Sequence, residues 1–578
     1  MFLAFESLKN DNNNYYFSEP IDIIKIYRKS EIISAFEKIE YYSKKYYIAG
    51  FFSYELGYYL DDFQVKIKND VPLIYLGIFE NYKYEKPKKS QSSKFEISDL
   101  QLNQPKKEYI AALKKIKRYL EIGDTYQVNY TQKLKFHFSG APLEFYEILK
   151  KNQSVDYAAF LDFDDLIIIS LSPELFFKRS NNKIILKPMK GTIKRGINVF
   201  EDLELQNKLL YSEKERAENL MIVDLIRNDI GKICKIGAVR VPHLFLVEKY
   251  NTIFQMTSTI TGNLKKNISY FDIFKALFPC GSVTGAPKFR VMQIIYELEK
   301  ELRNVYCGAI GIIFPKKRAV FNVAIRTIQI KDNCAELGIG SGITIDSITE
   351  NEYSEMLLKS KFLQNISSAQ NYDFELIETM LYKNKYYFLN DHLKRLKLSA
   401  QYFDFKFSKS EIIQKLLELS QKFEKNTAFK IRILLAKDGR LKIEFQKLEM
   451  LDTEKKITIS KIKTNSSNIF LYHKTTNRQL YNNEYQKYSK LGFYDIVFLN
   501  EKAEITEASF NNIVIEKNGK LLTPALKCGL LPGIYRNKLL TQKKIKESII
   551  KIEDLKKSEK FFLCNSVRGL VTVKFVDL

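Results

Sequence analysis

The chain of 578 residues contains no tryptophan, four histidines and six cysteines. The cysteines form no CxxC pair, so neither a disulfide framework nor a zinc site is expected. Long apolar runs are also missing, because none approaches the ~20 residues of a membrane-spanning helix. The opening MFLAFESLKN lacks the basic and apolar regions of a secretory signal. These absences predict a cytoplasmic protein with no membrane partner.

Acidic side chains are too few to balance the basic ones, and the formal net charge is +24. A clustered basic face would indicate nucleic-acid binding, because it attracts phosphates. Here lysine is spread along the whole chain, which is typical of a solvated surface, so no nucleic-acid partner is expected. A basic nucleic-acid-binding protein is kept as a remote alternative. The length exceeds the ~250–300 residues of most single domains, which predicts at least two.

The apolar pattern divides the chain into two α/β regions. Residues 1–104 are expected to be β-rich, and an amphipathic helix is predicted from Lys106 to Ile122, where Gly123 stops it. Strands and helices then alternate through an α+β catalytic region, 105–364, with strands predicted at 166–171, 183–186 and 319–330. The polar segment 365–372 is predicted to be a linker, and a second α/β domain fills 373–578.

Two helices are predicted to begin with the same acidic pattern. Ser212 and Thr349 are candidate N-caps, each followed by two glutamates at intervals of three residues. On a single helix such a pair is usually a solvated face. Two pairs that converge would instead suit Mg²⁺, a hard cation that prefers carboxylate oxygens. The glutamates concerned are Glu215, Glu218, Glu352 and Glu355.

Two glycine-containing loops and one arginine could meet an anion. The loop 281–288 precedes a predicted helix but lacks the Lys-Ser/Thr pair of a Walker phosphate loop. The cluster 338–342 resembles half a dinucleotide fingerprint, and such a loop can aim backbone N–H groups at a carboxylate. Arg326 lies within the apolar run 320–328, where a buried guanidinium needs an anion. Its partner is either an internal acid or a substrate carboxylate.

Several segments occur in the order seen in chorismate-utilising enzymes, and over residues 105 to 363 the chain resembles that family. They are Ser172-Pro-Glu-Leu-Phe176, Pro188-Met-Lys-Gly-Thr192, Arg216 to Asp229, Gly285-Ala-Pro-Lys288, Tyr306 to Gly311 and Ala324-Ile-Arg326. The resemblance implies a large α/β sandwich with the active site between its halves. Residues 1–104 would complete that sandwich.

The same resemblance implies roles for individual residues. The four glutamates would form a Mg²⁺ site that holds the ring carboxylate of chorismate. Thr284 would line the pocket. The enolpyruvyl carboxylate would be held by Arg326, Tyr306 and the backbone amides of Gly340, Ser341 and Gly342.

Two positions distinguish reactions within the family, and a third, Gln255, is a subfamily mark. Relatives that add water to chorismate carry a lysine base where this chain has Gln127, and glutamine there is typical of relatives that use ammonia. Among ammonia users, anthranilate synthases usually carry PIAGT and aminodeoxychorismate synthases PIKGT, and this chain has Lys190 in PMKGT. A neutral lysine could attack C2 of chorismate and expel the 4-hydroxyl before ammonia replaces it at C4. Gln255 stands where many anthranilate synthases have histidine.

Residues 373–578 resemble the fold type IV enzymes that use pyridoxal 5'-phosphate, which include branched-chain aminotransferases and aminodeoxychorismate lyases. The resemblance rests on short segments at 374–380, 392–396, 474–478, 505–513 and 532–536. It implies that Lys474 binds the cofactor covalently and that Glu507 pairs with its pyridine nitrogen. Arg395 and the amides of Gly533 and Ile534 would hold the phosphate.

The two resemblances together predict a two-domain enzyme of 4-aminobenzoate synthesis for folate, with catalytic residues Lys190 and Lys474. Chorismate would be aminated with ammonia to 4-amino-4-deoxychorismate, from which the second domain would eliminate pyruvate. The alternative is an anthranilate synthase component I fused to a type IV aminotransferase, which Lys190 disfavours. No segment resembles a glutamine amidotransferase, so ammonia is expected from solution or from a separate glutaminase subunit. The second domain is a candidate homodimer contact.

Overall fold

The structure is a computed structural model that describes residues 1–6, 14–61, 63, 68–84, 94–152, 155–251, 253–360, 363, 374–449 and 455–577. The predicted linker at 365–372 lies outside these residues. Two compact units make up the chain: residues 1–194 with 206–370, and residues 195–205 with 371–578. Each unit has its own hydrophobic core.

Helices and strands follow one another along the first unit, and one helix, Val199–Leu210, begins within residues 195–205 of the second unit and ends in the first. The helices are α1 (Ile32–Tyr42), α2 (Leu56–Leu60), α3 (Lys106–Glu121), α4 (Pro142–Asn152), α5 (Val199–Leu210), α6 (Glu213–Gly231), α7 (Tyr270–Leu277), α8 (Lys288–Leu298) and α9 (Thr349–Leu358). The strands are β1 (Phe2–Glu6), β2 (Tyr15–Ser18), β3 (Asp22–Ile26), β4 (Tyr47–Phe52), β5 (Ile74–Phe79), β6 (Phe95–Leu102), β7 (Gln127–Gly140), β8 (Tyr157–Asp162), β9 (Ile167–Ser172), β10 (Leu175–Ser180), β11 (Lys183–Lys187), β12 (Met189–Lys194), β13 (Arg240–Lys249), β14 (Ile253–Asn263), β15 (Gly285–Ala286), β16 (Ala309–Phe314), β17 (Arg318–Val323), β18 (Thr327–Lys331) and β19 (Cys334–Ile343).

These strands form two antiparallel sheets. One sheet has the order β15-β7-β19-β18-β9-β8-β1-β2, with β6 also paired to β7. The other has the order β12-β14-β11-β10-β17-β16-β4-β5-β3, with β13 also paired to β14. The sheets therefore place β7 and β19 side by side in one layer and β12 at the edge of the other layer.

Aromatic side chains fill the space between the two sheets. Successive strand residues point to opposite faces, so Leu3 and Phe5 share one core while Ala4 belongs to another. Rings from the two sheets meet directly, with centroids 4.0 Å apart for Tyr75 and Phe163. The predicted α/β sandwich is confirmed.

Helix α3 shows that the apolar spacing was sufficient to place a helix. Its buried residues include Tyr109, Leu113 and Ile116, which recur every three or four positions and so share one face. The helix ends at Glu121, and Gly123 follows with a left-handed φ of 75°.

Two local predictions in the first unit are wrong. The predicted strand 319–330 is two strands, β17 and β18, because the backbone at Arg326 adopts a left-handed φ of 50° that ends the pairing. Arg326 therefore lies at a break rather than inside a strand. Thr349 is the first residue of α9, and Ile348 occupies the N-cap. Ser212 is the N-cap of α6 as predicted, and its hydroxyl accepts from the Glu215 N–H.

The second unit contains a small and a large sheet with flanking helices. The helices are α10 (Leu389–Phe403), α11 (Lys409–Ser420), α12 (Gln479–Ser489), α13 (Ile534–Thr541) and α14 (Ile552–Lys556). The small sheet has the order β20 (Leu376–Tyr382), β21 (Phe429–Leu435) and β22 (Leu441–Lys447). The strands of the large sheet are β23 (Lys456–Ile459), β24 (Asp495–Leu499), β25 (Ile505–Ala508), β26 (Asn512–Lys517), β27 (Lys520–Pro524), β28 (Lys546–Ser548), β29 (Lys560–Asn565) and β30 (Gly569–Phe575), in the order β25-β24-β23-β30-β29-β26-β27-β28.

The second unit also includes residues 195–205, which the sequence pattern had assigned to the catalytic region before the linker. Arg195 donates to both carboxylate oxygens of Asp202 and to the carbonyl of Tyr402. The Tyr402 hydroxyl donates to the carbonyl of Gly196 at 2.6 Å. Across the part of the chain that the structure describes, no helix is long and apolar enough to cross a membrane.

Candidate active sites

Three predicted residues of the first unit converge on one point. Lys190 is the second residue of β12, Gln127 begins β7, and Gly342 lies near the end of β19. A Cβ at Gly342 would lie 2.2 Å from Nε2 of Gln127 and 3.0 Å from Nζ of Lys190. Glycine at 342 therefore leaves the space in which the amide and the amine face each other.

Unpartnered polar atoms mark this space. Both polar side-chain atoms of the buried Gln127 amide lack a hydrogen-bond partner among the described residues. An unpaired buried polar group costs free energy, so such groups point to a ligand that completes them. Gln127 and Gly342 thus line one recess, whereas the side chain of Ser341 points to the opposite face of β19, where Tyr109 lies.

The Lys190 amine is held in a weakly solvated environment. Burial lowers the pKa of Lys190, and the positive charge of Lys359 lowers it further, whereas Glu218 and Glu174 oppose this shift. Burial raises the pKa of Glu174 to about 7, and its carboxyl accepts a 2.6 Å hydrogen bond from Ser282. A larger fraction of neutral amine is therefore available near neutral pH than at a surface lysine.

Gln255, which the sequence analysis identified as a subfamily mark, fixes the strand that carries Lys190. Its Nε2 donates to the carbonyl of Gly191 at 2.9 Å, and its Oε1 accepts from the Thr192 hydroxyl at 2.8 Å. These two bonds hold the residues that directly follow Lys190.

The four predicted metal ligands are near one another but are not gathered into a metal site. Burial raises the pKa of Glu215, and Glu218 and Glu355 raise it further. Glu352 accepts from Ser347 at 2.7 Å, and Glu355 forms a 3.1 Å ion pair with Lys359. Within the described residues, no group of three acidic, histidine or cysteine side chains is close enough to hold a metal ion.

Arg326, one of the predicted carboxylate-binding residues, is partly buried in the first unit. Burial lowers the pKa of the Arg326 guanidinium, while nearby Tyr250 raises it. Tyr250 was missed by the sequence reasoning, and its hydroxyl lies 3.3 Å from carboxylate oxygens of both Asp156 and Glu248. No motif surrounds Tyr250, so only the fold could bring it to Arg326.

Tyr306 and Thr284 are both enclosed by neighbouring backbone. A Cβ at Gly338 would lie 2.1 Å from the Tyr306 ring, so the ring packs directly on that glycine. The Thr284 hydroxyl donates to the carbonyl of Cys280 at 3.0 Å. Lys359, another residue that the sequence analysis missed, donates to the carbonyl of Gly340 at 2.9 Å.

The second unit contains a separate candidate site around Lys474. Burial lowers the pKa of Lys474 to about 7, and Arg478 and Arg395 add to this shift, whereas Glu378 and Glu507 oppose it. Burial raises the pKa of Glu507 to about 7. The Glu507 carboxylate accepts from the Leu531 N–H at 3.1 Å and from the Tyr481 hydroxyl at 3.3 Å. A lysine that loses its proton near neutral pH can act as nucleophile and base.

Arg395 lies between a buried acid and the start of α13. Its Nε and Nη2 each donate to Glu378 at 2.8 Å, and its Nη1 donates to the carbonyl of Pro532 at 3.1 Å. Burial would raise the pKa of Glu378, but Arg395 and His392 lower it to about 2. Glu378 and His392 were not predicted as site residues, although both lie in the segments that carry the second resemblance.

The start of α13 suits an anion. Gly533 is the N-cap of this helix, and a Cβ there would lie 1.9 Å from Oδ1 of Asn512. The first N–H groups of a helix lack internal partners and attract negative charge. Arg395, Gly533 and Ile534 are thus brought together as predicted for a phosphate site.

Comparisons with known proteins divide the chain in the same way. A model of the chorismate binding enzyme family matches residues 6–365, and a model of the class IV amino-transferases matches residues 375–576. Anthranilate synthase component 1 of Aquifex aeolicus is 41% identical over 261 residues, which are 45% of this chain and 53% of that protein. Aminodeoxychorismate synthase component 1 of Escherichia coli is 40% identical over 258 residues, which are 45% of this chain and 57% of that protein.

A solved structure agrees with the first unit. Anthranilate synthase component I from Streptococcus pneumoniae superposes with a TM-score of 0.51 at 26% identity, over 62% of this chain and 89% of the other. The chain spans about half the length of the curated relatives it matches. Overall identity does not separate the two named activities, so the distinction depends on individual site residues.

Proposed function

Because the chain belongs to the chorismate binding enzyme family and ends in a class IV amino-transferase domain, we propose that it makes 4-aminobenzoate from chorismate in two steps. The first unit would aminate chorismate with ammonia to 4-amino-4-deoxychorismate, and the second would eliminate pyruvate. The observation that carries this proposal is the position of the Lys190 amine, which faces the unpartnered Gln127 amide across Gly342.

Lys190 suits a covalent first step. Its lowered pKa leaves part of the amine neutral, and a neutral amine can attack C2 of chorismate while both ring double bonds shift, to C1=C6 and C4=C5, and the 4-hydroxyl leaves as water. Ammonia then attacks C4, both double bonds shift back to C1=C2 and C5=C6, and the C2–N bond to Lys190 breaks. The lysine is regenerated, and water and 4-amino-4-deoxychorismate are the products of this sequence.

Carboxylate binding would divide between the two sides of the recess. Arg326 and the backbone around Ser341 would hold the enolpyruvyl carboxylate, as the family resemblance implies. The donor chemistry of Glu215, Glu218, Glu352 and Glu355 fits Mg²⁺ because all four offer carboxylate oxygens. Glu355 would have to exchange Lys359 for the cation, since these two residues are paired in the structure. When bound, Mg²⁺ would offset the charge of the ring carboxylate.

The residues of the second unit fit pyridoxal 5'-phosphate. The start of α13 and Arg395 would hold the phosphate, and Glu507 would face the pyridine nitrogen. When bound, this cofactor would withdraw electrons from the carbon that carries the amino group. Lys474 would take the proton from C4 of the ring. The C3–O bond then breaks, the enolpyruvyl group leaves and is protonated to pyruvate, and the ring becomes aromatic.

The compartment and partners form part of the same proposal. All six cysteines are free, as is usual where thiols are kept reduced, which supports a cytoplasmic location. Ammonia would come from solution or from a separate glutaminase subunit. A homodimer through the second unit is also predicted, and measurements of mass in solution can test it.

Two variants would separate the half-reactions. Lys190→Ala should fail to aminate chorismate at C4 but should still release pyruvate from supplied 4-amino-4-deoxychorismate. Lys474→Ala should accumulate 4-amino-4-deoxychorismate and lose the visible absorption of the bound cofactor. Chromatography of the products and absorption spectra of both proteins provide the measurement. Unimpaired 4-aminobenzoate formation by either variant would refute the proposed roles.

A further inference from the structure

A group of cationic side chains lies beside Lys474 and is not used by the phosphate site. Lys430 and Arg432 are two residues apart on β21, so both point to the same face of the small sheet. Arg478 follows Lys474 by four residues, and Arg568 lies in the turn between β29 and β30. These four residues are called the cationic group: Lys430, Arg432, Arg478 and Arg568.

The backbone ties these residues to one edge of the small sheet. Thr379 of β20 is the register partner of Arg432, and its carbonyl accepts from the Ser566 hydroxyl at 3.1 Å. The Ile377 N–H donates to the carbonyl of Lys474 at 2.8 Å. The turn that carries Arg568 and the turn that carries Arg478 therefore meet the same strand, β20.

Arg478 has an N–H donor without a partner in the described residues. Its Nη2 donates to the carbonyl of Ser509, and its guanidinium lies over the ring of Phe510 at 4.8 Å from the centroid. Its buried Nε has no partner among the described residues. A buried guanidinium with an unused N–H is suited to a carboxylate, which can accept two parallel hydrogen bonds.

The cationic group forms few ion pairs. Burial lowers the pKa of Arg478, whereas nearby Glu507 and Asp495 oppose that shift. In the described ranges, no carboxylate forms an ion pair with Lys430, Arg478 or Arg568, and Arg432 has only Glu444 at 3.8 Å. Arg432, Arg568 and Arg478 all lower the pKa of Lys430, and burial contributes most to that shift. Cationic side chains that are held together with few ion pairs favour an anionic ligand.

We propose that Arg478, supported by Lys430 and Arg568, binds a carboxylate of the amino substrate of the second unit. The proposal rests on the proposed function, in which that substrate carries a ring carboxylate and an enolpyruvyl carboxylate. Arg478 is a specificity-determining residue, because Arg395 and the start of α13 already serve the phosphate.

The test compares variants in the cofactor-loaded full chain. Arg478→Gln, Arg568→Gln and Lys430→Gln remove members of the group, and Arg440→Gln is the matched control because that side chain is 83% exposed and paired with Asp438. Binding of 4-aminobenzoate and of the neutral 4-aminobenzamide is measured by calorimetry. The KM for 4-amino-4-deoxychorismate is measured from pyruvate release, and the visible spectrum reports the cofactor.

We expect Arg478→Gln to keep the visible spectrum, to raise KM by at least about tenfold and to lose the preference for 4-aminobenzoate over its amide. Arg568→Gln and Lys430→Gln should shift both quantities in the same direction by less, and Arg440→Gln should match the unmodified protein. An unchanged KM and preference in all three variants would overturn the inference. Loss of the visible spectrum in Arg478→Gln would also overturn it, because Arg478 would then serve the cofactor.

The same data distinguish this inference from the proposed function. If the unmodified protein releases no pyruvate from 4-amino-4-deoxychorismate, the proposed function fails. The carboxylate preference still decides the role of Arg478 in that case. If pyruvate is released normally and the preference does not depend on Arg478, only the inference fails.

Discussion

At the scale of single residues, Lys190 and Lys474 share a weakly solvated ammonium but differ in their neighbours. Nearby glutamates oppose the pKa shift of both lysines. A lysine, Lys359, adds to the shift at Lys190, whereas two arginines add to the shift at Lys474. The family resemblances identified both lysines. Arg478 lies within a quoted segment, yet nothing in the sequence indicated that its Nε is buried without a partner. The sequence shows which residue is present, whereas only the folded chain shows whether its N–H groups have hydrogen-bond acceptors.

The first prediction concerns the pH at which Lys474 reacts. A lysine whose pKa is lowered from 10.5 to about 7 is protonated below that pH and neutral above it. Only the neutral amine attacks an aldehyde, so the rate of cofactor loading by cofactor-free protein should rise between pH 6 and pH 8 and then level off. Stopped-flow absorbance in the visible measures this rate. A rate that keeps rising to pH 10, as for a surface lysine, would contradict the assigned environment.

At the scale of helices and strands, regular apolar spacing predicted helix positions correctly. Breaks caused by an unusual backbone conformation were not predicted. Helix α3 was predicted because its apolar residues recur on one face. The break between β17 and β18 was missed because Arg326 adopts a left-handed backbone conformation, which an arginine in the sequence does not predict. The assignment of 195–205 to the second unit was also missed, since it depends on the Arg195 and Tyr402 contacts rather than on chain order.

The second prediction tests the close approach of β19 to β7 and β12. Gly342→Ala would place a methyl group 2.2 Å from the Gln127 amide and 3.0 Å from the Lys190 amine. We expect amination of chorismate to fall on the order of 10- to 100-fold, because small displacements of reacting groups are costly. Pyruvate release from supplied 4-amino-4-deoxychorismate should be unchanged. Gly231→Ala is the control, since a Cβ there meets nothing within 4 Å. Equal amination by both variants would refute the assignment.

The third prediction concerns the acidic pair on α9. Glu355→Gln should raise the Mg²⁺ concentration needed for half-maximal amination by at least about tenfold, because one carboxylate of the proposed cation site is removed. Glu350→Gln is the matched control, since Glu350 lies on the same helix and pairs with Lys106 at 2.7 Å. Titration of Mg²⁺ against the initial rate of amination measures the effect. If both variants required the same Mg²⁺ concentration as the unmodified protein, Glu355 would be an ordinary surface residue.

At the scale of the whole molecule, two family matches account for residues 6–365 and 375–576, and each unit holds its own candidate lysine. The sequence predicted this division because both resemblances depend on many segments in a fixed order. The sequence could not predict which polar groups remain unpartnered, and those groups carry the arguments about substrates.

The fourth prediction follows from the content of the chain. With glutamine as the only nitrogen source, the purified protein should form 4-aminobenzoate at a rate close to background, because no part of the sequence resembles a glutaminase. Ammonium at high pH should restore the reaction, since the neutral ammonia is the nucleophile. Efficient use of glutamine by homogeneous protein would show that the chain has an amidotransferase activity after all.

The central claim is that nitrogen enters at C4 of chorismate and that the same chain then releases pyruvate. Purified protein is incubated with chorismate, Mg²⁺, pyridoxal 5'-phosphate and 15N-labelled ammonium, and the aromatic product is identified by chromatography and NMR. Pyruvate alone cannot decide, because both candidate reactions release it, whereas the position of the label can. We expect 4-aminobenzoate labelled on the amino group at C4. Labelled 2-aminobenzoate as the main product would contradict the account.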